Sequence, residues 1–125
     1  MDINDYKTIE VEQQGALDIL WLNRPEQLNS INTPMVTELR HYFDQLAENE
    51  NTRVVIMGGR GKAFCAGLDI KSASDPAQPR PFGGGMGFQG YLADVYVKMR
   101  RCPQPIISMI PVSYTHLTLP TKRIV

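Results

Sequence analysis

The sequence has no excess charge of either sign. Thirteen basic and 13 acidic side chains give its 125 residues a formal net charge of zero, which argues against nucleic acid or an anionic membrane surface as the main partner. Cysteine is scarce, and two cysteines form no disulfide framework, which favours a reducing, cytoplasmic location. The longest apolar run, Ile106–Val112, is interrupted by Ser108 and Pro111 and is too short to span a bilayer. Residues 1–7 have neither the basic nor the apolar character of a secretory signal.

The composition is that of an ordinary globular domain, with 42% hydrophobic and 21% charged residues. A chain of this length supports one modest core, and two domains are not expected. Near the N-terminus, Lys7–Gln13 and Ala16–Leu22 have the pattern of two strands joined at Gln14-Gly15, which predicts a β-hairpin. A helix is predicted to begin at Thr33-Pro34, capped by Asn32 or by Thr33 itself.

The next elements predict an α/β fold. Arg53–Met57 is a short continuous apolar run, typical of a strand buried on both faces. The preceding helix makes this a strand–helix–strand crossover and favours parallel pairing with the second hairpin strand. Ser72–Gly87 is rich in proline, glycine and serine and predicts a mobile loop. A second amphipathic helix around Tyr91–Met99 should stop before Pro103, and Pro105–Ile110 predicts another buried strand.

Three segments carry a resemblance to a known family. Trp21–Ser30 (WLNRPEQLNS) resembles the "LNRPexLNA" segment of the enoyl-CoA hydratase/isomerase (crotonase) superfamily. Lys62–Asp69 (KAFCAGLD) is similar to its "AFCAGxD" motif. Pro103–Ser108 resembles its "KPVIAA" strand, with Gln104 in the place of the lysine. The resemblance covers residues 6 to about 110 and implies a spiral of ββα turns, of which this chain supplies the early ones.

The resemblance also implies a chemistry. Crotonase-like enzymes bind an acyl-CoA thioester and stabilise the enolate formed at its carbonyl, for which two backbone N–H groups must point at one oxygen. By motif matching, Ala66 would donate the first N–H, Gly67 would form a tight turn, and Leu68 and Asp69 would lie beside the CoA moiety. Leu28 would line the adenosine pocket. No metal or redox cofactor is implied, because coenzyme A is part of the substrate.

Plainer interpretations remain for several of these residues. Without the family resemblance, Ala66–Asp69 would be interpreted as a turn in which Asp69 caps a following helix. Leu28 is interpreted equally well as an ordinary core residue or as part of the adenosine pocket. Cys65 is expected to be a small packed side chain rather than a reactive thiol. Residues 82–88 are either a lid over the acyl pocket or a disordered loop. Gly83-Gly84-Gly85 precedes the last predicted strand, so it is not the family's second oxyanion loop.

The resemblance stops near residue 110. The family would continue into a glycine-rich loop and a helix with the catalytic glutamates, but this chain has no glycine after Gly90 and no acidic residue after Asp94. We therefore expect residues 1–110 to be the N-terminal part of a crotonase-like domain. Residues 111–125 are expected to be a non-homologous, artefactual tail similar to translated sequencing-adapter DNA.

The sequence thus predicts a truncated α/β crotonase-like spiral from an enoyl-CoA hydratase-type enzyme. This chain lacks the acid/base pair that hydration needs and is expected to be inactive alone and marginally stable. One alternative is a dienoyl-CoA or enoyl-CoA isomerase of the same superfamily. Another is a non-catalytic CoA-binding or interaction module. The resemblance implies a homotrimer or hexamer for the full-length parent.

Overall fold

A four-stranded sheet with two long helices on one face is the framework of the molecule. The computed structural model describes residues 1–68 and 84–111. The strands are β1 (Ile9–Gln14), β2 (Leu17–Leu22), β3 (Val54–Gly59) and β4 (Ile106–Ser108), and the helices are α1 (Thr33–Leu46) and α2 (Gly84–Arg101). In the order β1-β2-β3-β4, the first pair is antiparallel and the other two pairs are parallel. The predicted α/β class is confirmed, and neither helix is long and apolar enough to cross a membrane.

The predicted hairpin forms, with its turn one residue later than expected. β1 and β2 pair from Ile9 opposite Leu22 to Gln14 opposite Leu17. Gly15 has φ +61°, a left-handed conformation that glycine adopts without steric cost. The turn therefore consists of Gly15 and Ala16 rather than Gln14 and Gly15.

Helix α1 begins where its capping residues predict. The Asn32 side chain accepts a hydrogen bond from the Met35 N–H at 3.1 Å, and Pro34 lies in the first turn, where its missing N–H costs nothing. One face of the helix is buried against the sheet, and full burial of each large apolar side chain contributes about 1.5–3 kcal/mol. The buried apolar residues of this face are Met35, Val36, Leu39, Tyr42, Phe43 and Leu46.

The sheet buries only one face within the described residues. In β2 the buried side chains are Asp18, Leu20 and Leu22, while the wholly apolar alternate set is half-exposed. The expectation that β3 is buried on both faces is wrong for this part of the chain, since Val55 is buried and its neighbour Ile56 only half-buried. The reason is that both helices pack on the same face of the sheet.

Polar contacts anchor helix α2 on helix α1. Arg40 donates to the Asp94 carboxylate at 2.9 Å and holds the pKa of that carboxyl below its usual range. Thr37 and Tyr91 pair through their hydroxyls at 2.6 Å. The helix begins at Gly84, inside the segment predicted as a loop. Packing of its later turns against α1 outweighs the cost of glycines near its start, about 1 kcal/mol each.

The last strand is shorter and more exposed than predicted. β4 covers only Ile106–Ser108 of the predicted Pro105–Ile110 strand, and Ile107 is 53% exposed. It pairs with β3 alone among the described strands. One edge and one face of β4 are therefore left uncovered in this part of the molecule.

Candidate functional site

Two loops meet at the carboxyl ends of the central parallel strands. Loop A (residues 23–32) follows β2, and loop B (residues 60–68) follows β3. The two strands are in register to their last residues, Leu22 beside Gly59, so both loops leave the sheet at the same edge. Crevices at this edge of parallel sheets are the usual ligand sites of α/β folds. The two family-like motifs are thus brought together in space.

The Asn29 side chain joins the two loops. Its Oδ1 accepts a hydrogen bond from the Arg24 N–H at 2.7 Å within loop A. Its Nδ2 donates to the carbonyl oxygens of Arg60 at 2.9 Å and Ala63 at 2.8 Å in loop B. The residue is fully buried, at 0% exposure. Its position at the junction was not predicted from the sequence.

The chain around Gly59 is so close to these groups that only glycine fits. A Cβ atom there would lie 2.4 Å from the Ala63 carbonyl oxygen, 2.6 Å from that of Phe64 and 2.8 Å from Asn29 Nδ2. These distances are far below van der Waals contact, and two of the three atoms are backbone. Loop B therefore folds back tightly over the end of β3.

Leu28 is held out of the core by its backbone. Leu28 and Asn29 have φ of +52° and +56°, two consecutive left-handed residues without glycine, which is uncommon and strained. The Leu28 side chain is 47% exposed, so its interpretation as an ordinary core residue is wrong. A strained backbone presenting an exposed leucine is typical of a binding surface rather than of a packing site.

Backbone hydrogen bonds fix the position of residues 66–68 against loop A. The Ala66 N–H donates to the Leu28 carbonyl oxygen at 3.0 Å, and the Ile31 N–H donates to the Gly67 carbonyl oxygen at 2.7 Å. Gly67 has φ +100°, the left-handed conformation expected of a glycine in a tight turn. The Ala66 N–H is thus occupied by a partner within the protein.

The Leu68 N–H differs from that of Ala66. Ile31 and Leu68 form a parallel β-bridge, in which the Ile31 N–H bonds to the carbonyl oxygen of Gly67 and the N–H of Leu68 itself points away from Ile31. Among residues 1–68 and 84–111, nothing accepts a hydrogen bond from this N–H. The Leu68 side chain is 39% exposed. The sequence motif alone did not separate the N–H groups of Ala66 and Leu68.

An apolar cavity of about 180 Å³ lies next to loop B, between the helices and the sheet. Cys65 is half-buried and lines it, as predicted for a small packed side chain. The lining is otherwise mostly aliphatic and aromatic, with the hydroxyls of Tyr96 and Ser108 as further polar groups. The remaining lining residues are Leu22, Ile31, Met35, Leu39, Phe43, Met57, Phe64, Leu92, Val95 and Met99.

Four of the five predicted site residues lie together where loops A and B meet: Leu28, Ala66, Gly67 and Leu68. Asp69 lies outside the described residues, as do residues 82–83 and almost all of the 111–125 tail. Residues 84–88 belong to helix α2 rather than to a lid or loop.

The sequence matches the family model described as enoyl-CoA hydratase/isomerase over residues 17–111. It is 33% identical over 92 residues to 1,2-epoxyphenylacetyl-CoA isomerase of Escherichia coli, covering 73% of this chain and 35% of that protein. It is 32% identical over 117 residues to the mitochondrial Delta(3,5)-Delta(2,4)-dienoyl-CoA isomerase of Rattus norvegicus, covering 86% of this chain and 35% of that one. The chain thus spans about a third of the length of these curated relatives.

Solved structures agree with the sequence matches. The fold superposes on an enoyl-CoA hydratase/carnithine racemase from Magnetospirillum magneticum with a TM-score of 0.73 and 30% identity, over 83% of this chain and 39% of that one. An enoyl-CoA hydratase/isomerase from Mycobacterium paratuberculosis gives a TM-score of 0.70 at 28% identity, over 85% and 42%. The family model matches residues 17–111, which is more than half of this chain, and the two motifs meet at one sheet edge. The chain therefore belongs to the enoyl-CoA hydratase/isomerase family.

Proposed function

We propose that this chain forms the thioester-binding half of the active site of an enoyl-CoA hydratase-type enzyme. The observation that carries the proposal is the Leu68 N–H, which lacks a partner among the described residues and lies where loops A and B meet. A backbone N–H fixed in this way is suited to the oxygen of a thioester, on which negative charge develops as the enolate forms.

The donor we propose is therefore Leu68 rather than Ala66. The Ala66 N–H would have to leave the Leu28 carbonyl oxygen, 3.0 Å away, before it could bind a substrate. Breaking that bond would forfeit about 0.5–1.5 kcal/mol, the net contribution of a typical hydrogen bond. The Leu68 N–H faces no such cost, and the Ala66 bond contributes by holding the turn at Gly67 in place.

The apolar cavity beside loop B is the proposed location of the acyl chain. Its volume of about 180 Å³ is that of a short aliphatic segment rather than of a whole coenzyme. Cys65 lines the cavity and is followed directly by the proposed donor segment, so a thioester bound at Leu68 would direct its acyl group toward it. We also propose that Leu28 and Asp69 contact the coenzyme.

The cavity lining gives no support for hydration by this chain alone. Its titratable and hydroxyl groups are those of Cys65, Tyr96 and Ser108, and no described lining residue is a carboxylate or an imidazole. Addition of water to an enoyl thioester needs a general acid and base of suitable pKa. We therefore propose that the isolated chain binds acyl-CoA without turning it over.

The first alternative is isomerisation of an enoyl- or dienoyl-CoA. It is favoured by the similarity to the rat dienoyl-CoA isomerase, which covers 86% of this chain. Hydration and isomerisation would use the same contact to the thioester oxygen and would differ in the catalytic carboxylates. The site formed by loops A and B therefore suits either reaction. The second alternative, a non-catalytic CoA-binding module, predicts the same binding.

Calorimetry on the purified 125-residue chain tests the proposal. Butyryl-CoA should bind more tightly than its thioether analogue, S-butyl-CoA, because only the thioester has a carbonyl oxygen for the Leu68 N–H. Crotonyl-CoA should bind and remain unhydrated. Equal affinity for butyryl-CoA and S-butyl-CoA would contradict the proposed role of the Leu68 N–H. Hydration of crotonyl-CoA would contradict the proposed inactivity of the chain.

We propose further that residues 1–110 are the N-terminal part of the family domain and that residues 111–125 are a non-homologous, artefactual tail. The match to the family model ends at residue 111. Resequencing the source DNA across these codons tests the proposal. A frame that continues into a glycine-rich loop would support it, and confirmation of the present codons would contradict it.

A further inference from the structure

We infer that Asn29 is a positioning residue of the acyl-CoA site, which fixes the direction of the Leu68 N–H by holding loops A and B together. The inference rests on the proposed function. The Asn29 side chain forms its hydrogen bonds with Arg24, Arg60 and Ala63, and it is not among the residues that line the cavity. Its effect on the site would be transmitted through backbone hydrogen bonds.

The Asn29 side chain links the two loops, in addition to the backbone hydrogen bonds between them. Its amide accepts from the Arg24 N–H and donates to the carbonyl oxygens of Arg60 and Ala63, all at 2.7–2.9 Å. The side chain is fully buried. Loss of the amide would therefore remove one hydrogen bond from each of three part-buried backbone groups.

Backbone hydrogen bonds on both sides of Asn29 connect it to the donor segment. Leu28 precedes Asn29, and its carbonyl oxygen accepts the Ala66 N–H two residues before Leu68. Ile31 follows two residues later and bonds to the Gly67 carbonyl oxygen. Asn29 thus stands between the two loop A groups that hold the donor segment, and it bonds to loop B just upstream of that segment.

The backbone is strained at the same place. The positive φ values of Leu28 and Asn29 persist only where surrounding contacts enforce them. The buried amide of Asn29 supplies such contacts, and asparagine tolerates the left-handed region better than most residues. A residue that served only as a turn would not need a buried side chain with three hydrogen bonds.

Two substitutions separate the amide from the backbone conformation. Asn29→Gly keeps the left-handed backbone accessible and removes all three hydrogen bonds. Asn29→Asp keeps the acceptor for Arg24 and loses the donor to Arg60 and Ala63. The matched control is Asn49→Gly, because the Asn49 side chain makes a similar set of bonds to Asn51 and Thr52 at the far end of α1.

The readout is the affinity ratio of butyryl-CoA to S-butyl-CoA, measured together with the thermal midpoint. We expect both Asn29 variants to lose most of the thioester preference, about tenfold for one hydrogen bond, while affinity for coenzyme A itself changes less. Asn49→Gly should lower the midpoint and keep the preference. A preference kept by the folded Asn29 variants would overturn the inference and leave the proposed function standing.

A measurement on the wild-type chain applies even where the variants do not fold. Amide exchange in low urea should show the Asn29 side-chain amide, the Ala66 N–H and the Ile31 N–H opening in one local event, below the free energy of global unfolding. Independent opening of these three groups would overturn the inference. Absence of any thioester preference in the wild type would overturn the proposed function and the inference with it.

Discussion

The Tyr42 hydroxyl donates a hydrogen bond to the Asp18 carboxylate at 2.7 Å, inside the core between helix α1 and strand β2. Both residues are buried, and the second oxygen of Asp18 has no hydrogen-bond partner in the part of the chain that the structure describes. The tyrosine is therefore the main polar support of a buried carboxylate. Loss of that support should be costly, because an unpaired buried acceptor loses its hydration without compensation.

We expect Tyr42→Phe to lower the free energy of unfolding by about 1–3 kcal/mol. The ring still fills the core, so the loss reports the hydroxyl alone. Urea denaturation monitored by circular dichroism measures it, and Tyr96→Phe is the control because Tyr96 is 55% exposed. Equal stability of the two variants would contradict the supporting role of the Tyr42 hydroxyl.

The same hydroxyl predicts a loss of stability at alkaline pH. Burial, followed by the hydrogen bond to Asp18 and its negative charge, raises the pKa of Tyr42 above the ordinary value of 10.0. Below pH 10 the tyrosine is protonated in both states and the stability is fully present. Above pH 10 the unfolded chain releases the proton and the folded chain retains it, so the free energy of unfolding falls as pH rises. Unfolding curves between pH 8 and 11 should show a shallower fall for Tyr42→Phe than for the wild type or Tyr96→Phe.

Gln104→Lys should stabilise the chain. Gln104 Nε2 lies 2.8, 3.1 and 3.2 Å from the carbonyl oxygens of Leu46, Asn49 and Thr52, while its Oε1 is buried and has no hydrogen-bond partner within the described residues. An amide has two N–H donors for these three acceptors, whereas an ammonium group has three and no orphaned oxygen. A positive charge is also favourable at the C-terminal end of α1.

We expect the lysine variant to gain about 1 kcal/mol in the free energy of unfolding. Gln104→Met, which removes the donors at similar length, should lose about 1–3 kcal/mol. Thermal unfolding of the three proteins side by side measures both changes. A lysine variant as unstable as the methionine variant would show that burying the charge outweighs its three hydrogen bonds.

Two glycine-to-alanine substitutions should have opposite effects. Gly67 has φ +100°, so an alanine there is strained although, apart from the adjacent residues, no atom of the described residues lies within 4 Å of the added Cβ. Gly90 is inside helix α2, where an added Cβ has no neighbour within 4 Å in the described part of the chain, apart from the helix's own backbone. We expect Gly67→Ala to cost about 1–2 kcal/mol and Gly90→Ala to add about 0.5–1 kcal/mol.

The glycine pair also distinguishes the site from the rest of the fold. Gly67→Ala should weaken the preference for butyryl-CoA over S-butyl-CoA, because it alters the turn that leads into Leu68. Gly90→Ala should leave that preference unchanged. Calorimetric titrations of both variants check this, and an equal effect of the two would argue that Gly67 has no special place in binding.

The sequence by itself determined the types of most elements, because their signals act over a few residues. The cap at Asn32 and the proline at position 34 predicted the start of α1, and the Arg53–Met57 run predicted β3. Two motifs identified the family, since each is a short string whose residue types can be matched without knowing the fold. The glycine-rich start of α2 was missed because its local propensity is poor and its support comes from α1.

Only the tertiary structure decided which groups are buried and which are free. β2 has an apolar face and a mixed face, and the crossover of α1 placed the mixed face against the helices. Leu28 is exposed because two left-handed residues turn it outward, and the Ala66 N–H is occupied because loop A reaches it from 38 residues earlier in the chain. Contacts between residues so far apart in sequence arise from strand register and loop closure. For that reason the local pattern that predicts the elements does not determine which backbone N–H faces the substrate.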